Sequence, residues 1–155
     1  MKFGIGQAVT RIEDDRLLTG RGNYVDDLRL DGELHAVFVR SPHAHARIAS
    51  IDASEANAAE GVVAVLTGAD LVASGVAPFP ANPALRGAKG QPPTTPPYYP
   101  LATDAARFVG QPVAAVVAES RAAAERAAAL VAVEYEPLSA VAAIEAALAP
   151  GAPLV

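Results

Sequence analysis

Two histidines spaced two apart, His43-Ala-His45, are the side chains best suited to hold a metal. On an extended segment both rings point the same way, and imidazole suits zinc or copper. A catalytic centre needs a third ligand, and His35 lies at the far end of the preceding strand, so a locally bonded pair is the expectation and no metal ligand is assigned. The glycine pairs Gly4-Ile-Gly6 and Gly20-Arg-Gly22 have the look of phosphate-cradling loops. Neither follows a buried strand and opens a helix, as a dinucleotide site requires, and tight turns explain them better. Asp14-Asp15 and Asp26-Asp27 offer paired carboxylates for acid–base chemistry. Neighbours on a strand face opposite ways, so neither pair converges on one substrate; Asp26 and Asp27 are expected to cap the turn before Leu28. Ser41, Ser120 and Ser139 lack a GxSxG setting. No catalytic, cofactor-binding or metal-binding residue is therefore assigned. Tyr98-Tyr99 is expected to pack locally, with a partner anchor as the alternative.

Composition narrows the function further. The net charge is −5, and only 12 Lys and Arg are scattered along 155 residues, so no basic stripe exists to neutralise nucleic-acid phosphates. The chain has no cysteine, which excludes disulfides, thiolate metal sites and iron–sulfur ligation by these residues. No apolar run reaches membrane-spanning length and no signal-peptide pattern opens the chain, so a cytoplasmic protein without a membrane partner is the expectation. Hydrophobic residues make up 52% and aromatics only 5%, which favours close packing of small side chains between helix and sheet.

The elements that must carry these residues follow from local pattern. Residues 1–31 read as an extended lead-in with a short strand near Gly22–Tyr24. Leu34–Arg40 reads as a strand that is apolar on both faces and therefore central, ended by Ser41-Pro42, with a second strand over Ala46–Ile51. Asp52 with Glu55 three residues on predicts a short helix to about Ala59, stopped by Gly61. Val62–Leu66 reads as a buried strand, and Thr67 with Asp70 repeats the cap spacing. Eight of the 13 prolines fall within 78–100, so a long Pro-rich loop is expected over about 76–100. Beyond it come a strand within Leu101–Phe108 interrupted by Asp104, a buried strand Pro112–Ala118, a helix from Arg121 to Leu130 capped by Ser120, a strand Val131–Tyr135 and a helix Val141–Leu148. The halves on either side of the loop are each short for an independent core. The expectation is one α+β domain over 1–155: a mixed sheet with helices packed on one side. At the entry to Pro112–Ala118, Gly110 suits a tight turn, Pro112 fixes φ, and Gln111 exposes an amide donor and acceptor there, for contact with a neighbour or, as the alternative, with solvent.

Four segments carry a resemblance: RIEDDRLLTGRGNYVDDL (Arg11–Leu28), LHAVFVRSPHAHARI (Leu34–Ile48), FVGQPVAAVVAES (Phe108–Ser120) and VAVEYEPL (Val131–Leu138). Their order and spacing resemble the amino-terminal α/β-hammerhead domain of the large chain of molybdenum hydroxylases, the family of carbon monoxide dehydrogenase, aldehyde oxidase and xanthine dehydrogenase. The resemblance implies an oxidoreductase whose large chain carries molybdenum on a pterin dinucleotide in domains after the hammerhead. Electrons leave through iron–sulfur clusters and FAD on small and medium subunits or partner domains. No GGGFGxK-like run of those later domains occurs here, so they are expected to be absent and no catalytic residue carries over. What the resemblance implies for this chain is a structural and assembly role, packing against the molybdenum-binding domains. A free-standing interaction or small-ligand module of the same fold is the alternative. Arg11, Arg16, Gly110, Gln111 and Pro112 fall in the matching segments and are the candidates for contact with a neighbouring domain or subunit. Neither the substrate nor the oligomeric state follows from the sequence.

Overall fold

A computed structural model of the chain describes residues 6, 8–80, 90 and 96–153. Gly4, Ile5 and most of the Pro-rich loop lie outside the described residues. The chain divides into two compact units, Met1–Glu33 and Leu34–Val155.

In the first unit a single helical turn, α1 (Asp14–Leu18), replaces the expected extended lead-in, and a 3-10 turn covers Val25–Asp27 beyond the place where a strand was expected. The acidic run is the reason. The Asp14 carboxylate accepts from the Arg11 backbone N–H and from Arg11 Nε (2.8 Å), which folds the chain back at the start of α1. Arg16 pairs with Glu13 at 2.8 Å, and Arg21 pairs with Asp15 at 3.1 Å. These pairs are solvent-exposed, so each contributes at most about 1 kcal/mol. Asp27 accepts from the Tyr24 N–H at 2.9 Å, the capping role expected for it. None of the unit's described residues is buried.

The second unit carries the core. Its strands are β1 (His35–Arg40), β2 (Ala46–Asp52), β3 (Val62–Thr67), β4 (Ala105–Ala106), β5 (Pro112–Ala118) and β6 (Ala132–Pro137). The helices are α2 (Ser54–Ala58), α3 (Gly68–Ala73), α4 (Arg121–Ala128) and α5 (Ile144–Ala147). The α+β class expected from the sequence is what forms, but among the described residues the strands make two three-stranded sheets, β1-β5-β3 and β4-β2-β6. Every pairing is antiparallel. Strand β5 is central, as its unbroken apolar sequence PVAAVVA predicts. Among the described residues strand β1 is an edge strand, not the central strand expected from its two apolar faces: Val37 sits opposite Val116 and Val39 opposite Ala114, and no other described strand pairs with it. Strand β3 holds the other edge, and a register shift between Val62 and Ala64 leaves Val63 exposed.

One face of β1-β5-β3 is sealed by helices. Ala114 and Val116 of β5 pack with Ala56 of α2 and Ala127 of α4, and Ala118 packs with Ala123 and Ala124. Alanine on both sides lets the α4 backbone lie close to the sheet. Ile51 of β2 and Val133 of β6 join the same cluster, tying the second sheet to the first. Helix α4 starts where Ser120 Oγ accepts from the Ala123 N–H at 3.2 Å. Replacing Ser120 with alanine is expected to lower stability by about 1 kcal/mol, read as a shift of the urea midpoint at constant m. Thr67 and Asp70 form the predicted reciprocal cap of α3, with the Asp70 carboxylate accepting from the Thr67 N–H at 2.7 Å. Asp52 behaves differently from expectation. It accepts from both the N–H and the hydroxyl of Ser54, so α2 begins at Ser54 with Ala53 in the cap position.

Candidate functional site

A turn between β4 and β5 is held by several long-range hydrogen bonds. Gly110 occupies the left-handed region (φ +85°), where a glycine is needed. Its N–H donates to the Ser41 carbonyl at 2.8 Å, and the Ser41 N–H donates to the Gln111 carbonyl at 2.9 Å. The β5 entry is thereby locked to the chain leaving β1, seventy residues earlier. Arg40 at the end of β1 adds a third bond, from Nη1 to the Gly110 carbonyl at 2.9 Å. The Pro112 carbonyl accepts from the Ala102 N–H at 2.8 Å.

Gln111 was expected to present its amide at the surface. Instead it is only 3% exposed, and its Oε1 accepts from the Arg107 backbone N–H at 2.6 Å. It fastens the turn from inside. Ser41 is equally buried; its hydroxyl accepts from the His43 N–H at 3.1 Å and lies near the His43 carbonyl. This hydroxyl serves to form the turn. The sequence reading missed the coupling of Ser41, Arg107 and Gln111. Ser41-Pro42 and Gly110-Gln111-Pro112 were each legible as turns, but nothing local signals that they bond to one another.

The two histidines part company. The His43 ring lies 4.9 Å from the Tyr135 ring, tilted by 56°, whereas His45 Nδ1 meets the Ser139 carbonyl at 2.8 Å. Among the described residues no group of three His, Cys, Asp or Glu side chains could hold a metal ion. Burial raises the Tyr135 pKa, partly opposed by a hydrogen bond with Ser41. Neither effect supplies an acid or base near neutrality.

Asp104 and Arg107 close the turn from the other side through two bonds, Nη2 to Oδ2 at 2.9 Å and Nη1 to Oδ1 at 3.1 Å. The Arg107 hydrogen bond holds the Asp104 carboxyl below its ordinary value, against the opposing effect of partial burial. A lowered native pKa stabilises the fold above the unfolded value, and that contribution disappears as pH falls through the native value. Asp104→Asn is therefore expected to flatten the loss of thermal stability below about pH 4 and to leave its slope at neutral pH unchanged. An acid limb identical to wild type in a pH series of melting temperatures would refute this.

Around the turn the surface is apolar. Phe108 and Val109 are exposed at its tip, and the rings of Phe79, Tyr98 and Phe108 follow one another at 5.6 and 6.2 Å. The expectation that Tyr98 packs locally is met. A cavity of about 200 Å³ lies beside the turn, lined by His45, Arg107, Phe108, Val109 and Val141. A second, of about 250 Å³, lies between Ile48–Ile51, Thr67–Ala69 and Ala102–Thr103. Both fall short of the roughly 300–1,000 Å³ of ligand and cofactor sites. Of the other contact candidates, Arg11 and Arg16 belong to the first unit, where each is engaged by a neighbouring carboxylate. No described helix is long and apolar enough to cross a membrane.

The geometry is that of a bonded turn with apolar surroundings, and comparison with known proteins shows the family to which it belongs. The sequence profile described as "Aldehyde oxidase and xanthine dehydrogenase, a/b hammerhead domain" matches residues 19–139. The chain is 50% identical over 139 residues to the nicotine 6-hydroxylase large subunit of Paenarthrobacter nicotinovorans, covering 88% of this chain and 16% of that one. It is 45% identical over 156 residues to the carbon monoxide dehydrogenase large chain of Afipia carboxidovorans, covering 98% of this chain and 17% of that one. Among solved structures, the reconstituted CO dehydrogenase of Oligotropha carboxidovorans superposes with a TM-score of 0.79 at 44% identity, over 97% of this chain and 17% of that one. Quinoline 2-oxidoreductase of Pseudomonas putida 86 superposes at 0.71 with 49% identity, over 96% and 18%. The chain thus spans about one-sixth of the length of these relatives. The chain belongs to the α/β-hammerhead domain family of aldehyde oxidase and xanthine dehydrogenase.

Proposed function

We propose that this chain is the structural and assembly domain of a molybdenum hydroxylase large chain. In this reading it packs against the domains that hold the molybdenum pterin dinucleotide. The iron–sulfur and FAD-bearing subunits complete the assembly. The observation that carries the reading is the match of nearly the whole chain, at up to 50% identity, to one region of large subunits about six times longer. Among the described residues, the two cavities beside the turn and between Ile48–Ile51 and Thr67–Ala69 are smaller than usual cofactor sites, and no cluster of three metal-ligating side chains forms. The chain's contribution is rigidity at its edges. Gly110, Gln111 and Pro112 hold one such edge, and Arg11 and Arg16 are further candidates for contact with neighbouring domains.

The test is a graft. Residues 1–155 replace the matching region of the nicotine 6-hydroxylase large subunit, which is co-expressed with its own partner subunits. A parallel large chain has the region deleted. The graft is expected to elute as a full complex that retains molybdenum, and the deletion to do neither. A deletion that assembles and loads molybdenum as well as the graft would refute an assembly role.

A further inference from the structure

Antiparallel sheets with one solvated face alternate apolar and polar residues along each strand. The β1-β5-β3 sheet does not. Its inner face packs on α2 and α4, yet its outer face is apolar as well. The register places Phe38 of β1 and Leu66 of β3 on either side of Ala115, and Ala36 and Ala64 on either side of Val117. Phe38 is 47% exposed and Leu66 37%. Central strand β5 has no polar side chain at any position, the pattern of a strand covered on both faces. On the outer face Val113 and Ala115 are already buried within the chain, whereas Phe38 and Leu66, which flank Ala115, are left uncovered. The charge at the rim is a cation: the Arg40 guanidinium stands 5.7 Å from the centre of the Phe38 ring and donates to the Gly110 carbonyl. That bond joins the rim of the face to the β4–β5 turn.

We infer that the outer face of this sheet, formed by Ala36, Phe38, Ala64, Leu66 and Val117, is an interface covered by an apolar segment of the remaining large-chain polypeptide, with a carboxylate of that segment at Arg40. The inference rests on the assembly reading above and adds the surface through which it acts. The relatives supply the occupant. Each carries more than four-fifths of its length outside the region matched here, ample polypeptide to supply a covering layer. Two apolar faces on a three-stranded sheet, with the Arg40 cation at the edge, fit a packed layer better than a small ligand, for which no deep cavity is described at this face among the described residues.

The absence of cysteine makes the test direct. A36C and A64C place a thiol on the face, and A122C places one on the exposed side of α4. Each variant is labelled with a maleimide twice, as the isolated chain and within the assembled graft, and the labelled peptide is quantified by mass spectrometry. Burial in a packed interface is expected to slow labelling of A36C and A64C at least about tenfold on assembly, with A122C unchanged. Phe38→Glu is expected to lower the yield of complex at least about tenfold, as loss of a buried aromatic anchor does. Circular dichroism of the isolated F38E chain shows whether it still folds; if it does not, the labelling result alone decides. Equal labelling at all three positions before and after assembly overturns the inference while the assembly reading stands. Slow labelling of A36C in the isolated monomer, or only in a dimer of the chain, also overturns it, since the cover is then this chain itself or a second copy. A wild-type graft that forms no complex overturns the assembly reading first, and the inference with it.

Discussion

Gly68→Ala is expected to cost about 3 kcal/mol, well above the cost of Gly110→Ala. A Cβ on Gly68 would lie 2.8 Å from the Ala102 carbonyl carbon and 3.0 Å from Thr103 Cα, and closer still to the Ala102 oxygen. All three atoms are backbone, so no side chain can swing away. The segment cannot retreat cheaply either. The Ala102 N–H is bonded to the Pro112 carbonyl of β5, and the Asp104 carbonyl accepts from the Ile48 N–H of β2 at 2.9 Å. Moving 102–104 breaks one or both, at about 1 kcal/mol each. Alanine's better helix propensity at the start of α3 returns at most about 1 kcal/mol. Gly110→Ala is the informative contrast. Nothing lies within 4 Å of its added methyl, and only the positive φ resists it, so about 1 kcal/mol is expected. Urea unfolding of both variants checks the order, and a Gly68→Ala midpoint equal to or above that of Gly110→Ala would show that the 102–104 segment yields.

The central pieces of this fold were legible in the sequence because their signals are local. An all-apolar run of strand length gave β5, and Ser120 followed by an alanine-rich stretch gave α4. Thr67 and Asp70 announced the α3 cap through side-chain chemistry that acts within one turn. The errors share a cause as well. Strand β1 was placed at the centre because both faces are apolar, but apolar faces report what covers a strand and not how many strands flank it. Helix α1 was missed because Asp14-Asp15 reads as a turn; the Arg11 contact that makes it a helix start depends on side-chain geometry.

Gly110-Gln111-Pro112 was legible as a turn worth attention, but the direction of the Gln111 side chain was not. An amide after a glycine is more often solvated than buried. Here the partner that draws it inward is a backbone N–H four residues earlier, exposed to it only because β4 is two residues long and the chain turns back at once. Gly68 carried no sequence signal. Its role depends on a segment more than thirty residues away, brought there by the pairing of β5 with β3.

Gln111→Ala is the second substitution expected to have a large effect, about 3 kcal/mol. Two losses add. The half-buried Arg107 N–H loses the acceptor it has among the described residues, which costs about 1–3 kcal/mol, and the removed side chain leaves a void among packed neighbours. The backbone bonds of Gln111 to Ser41 and Phe108 do not depend on the side chain, so the turn is weakened without being erased. Gln111→Glu separates the two losses. It keeps an acceptor of the same reach but buries a carboxylate, and burial raises a carboxyl pKa. A group whose native pKa lies above its unfolded value destabilises the fold most at high pH, and the cost shrinks as pH falls through the native value. Q111E is therefore expected to be markedly less stable than wild type at pH 7 and to approach it near pH 5, whereas the deficit of Q111A stays level across that range. Thermal melts of the three proteins at both pH values read the difference directly. A Q111A deficit below about 1 kcal/mol would mean that the Arg107 N–H finds water in place of the amide, and that the turn owes its rigidity to Gly110 and Ser41 alone.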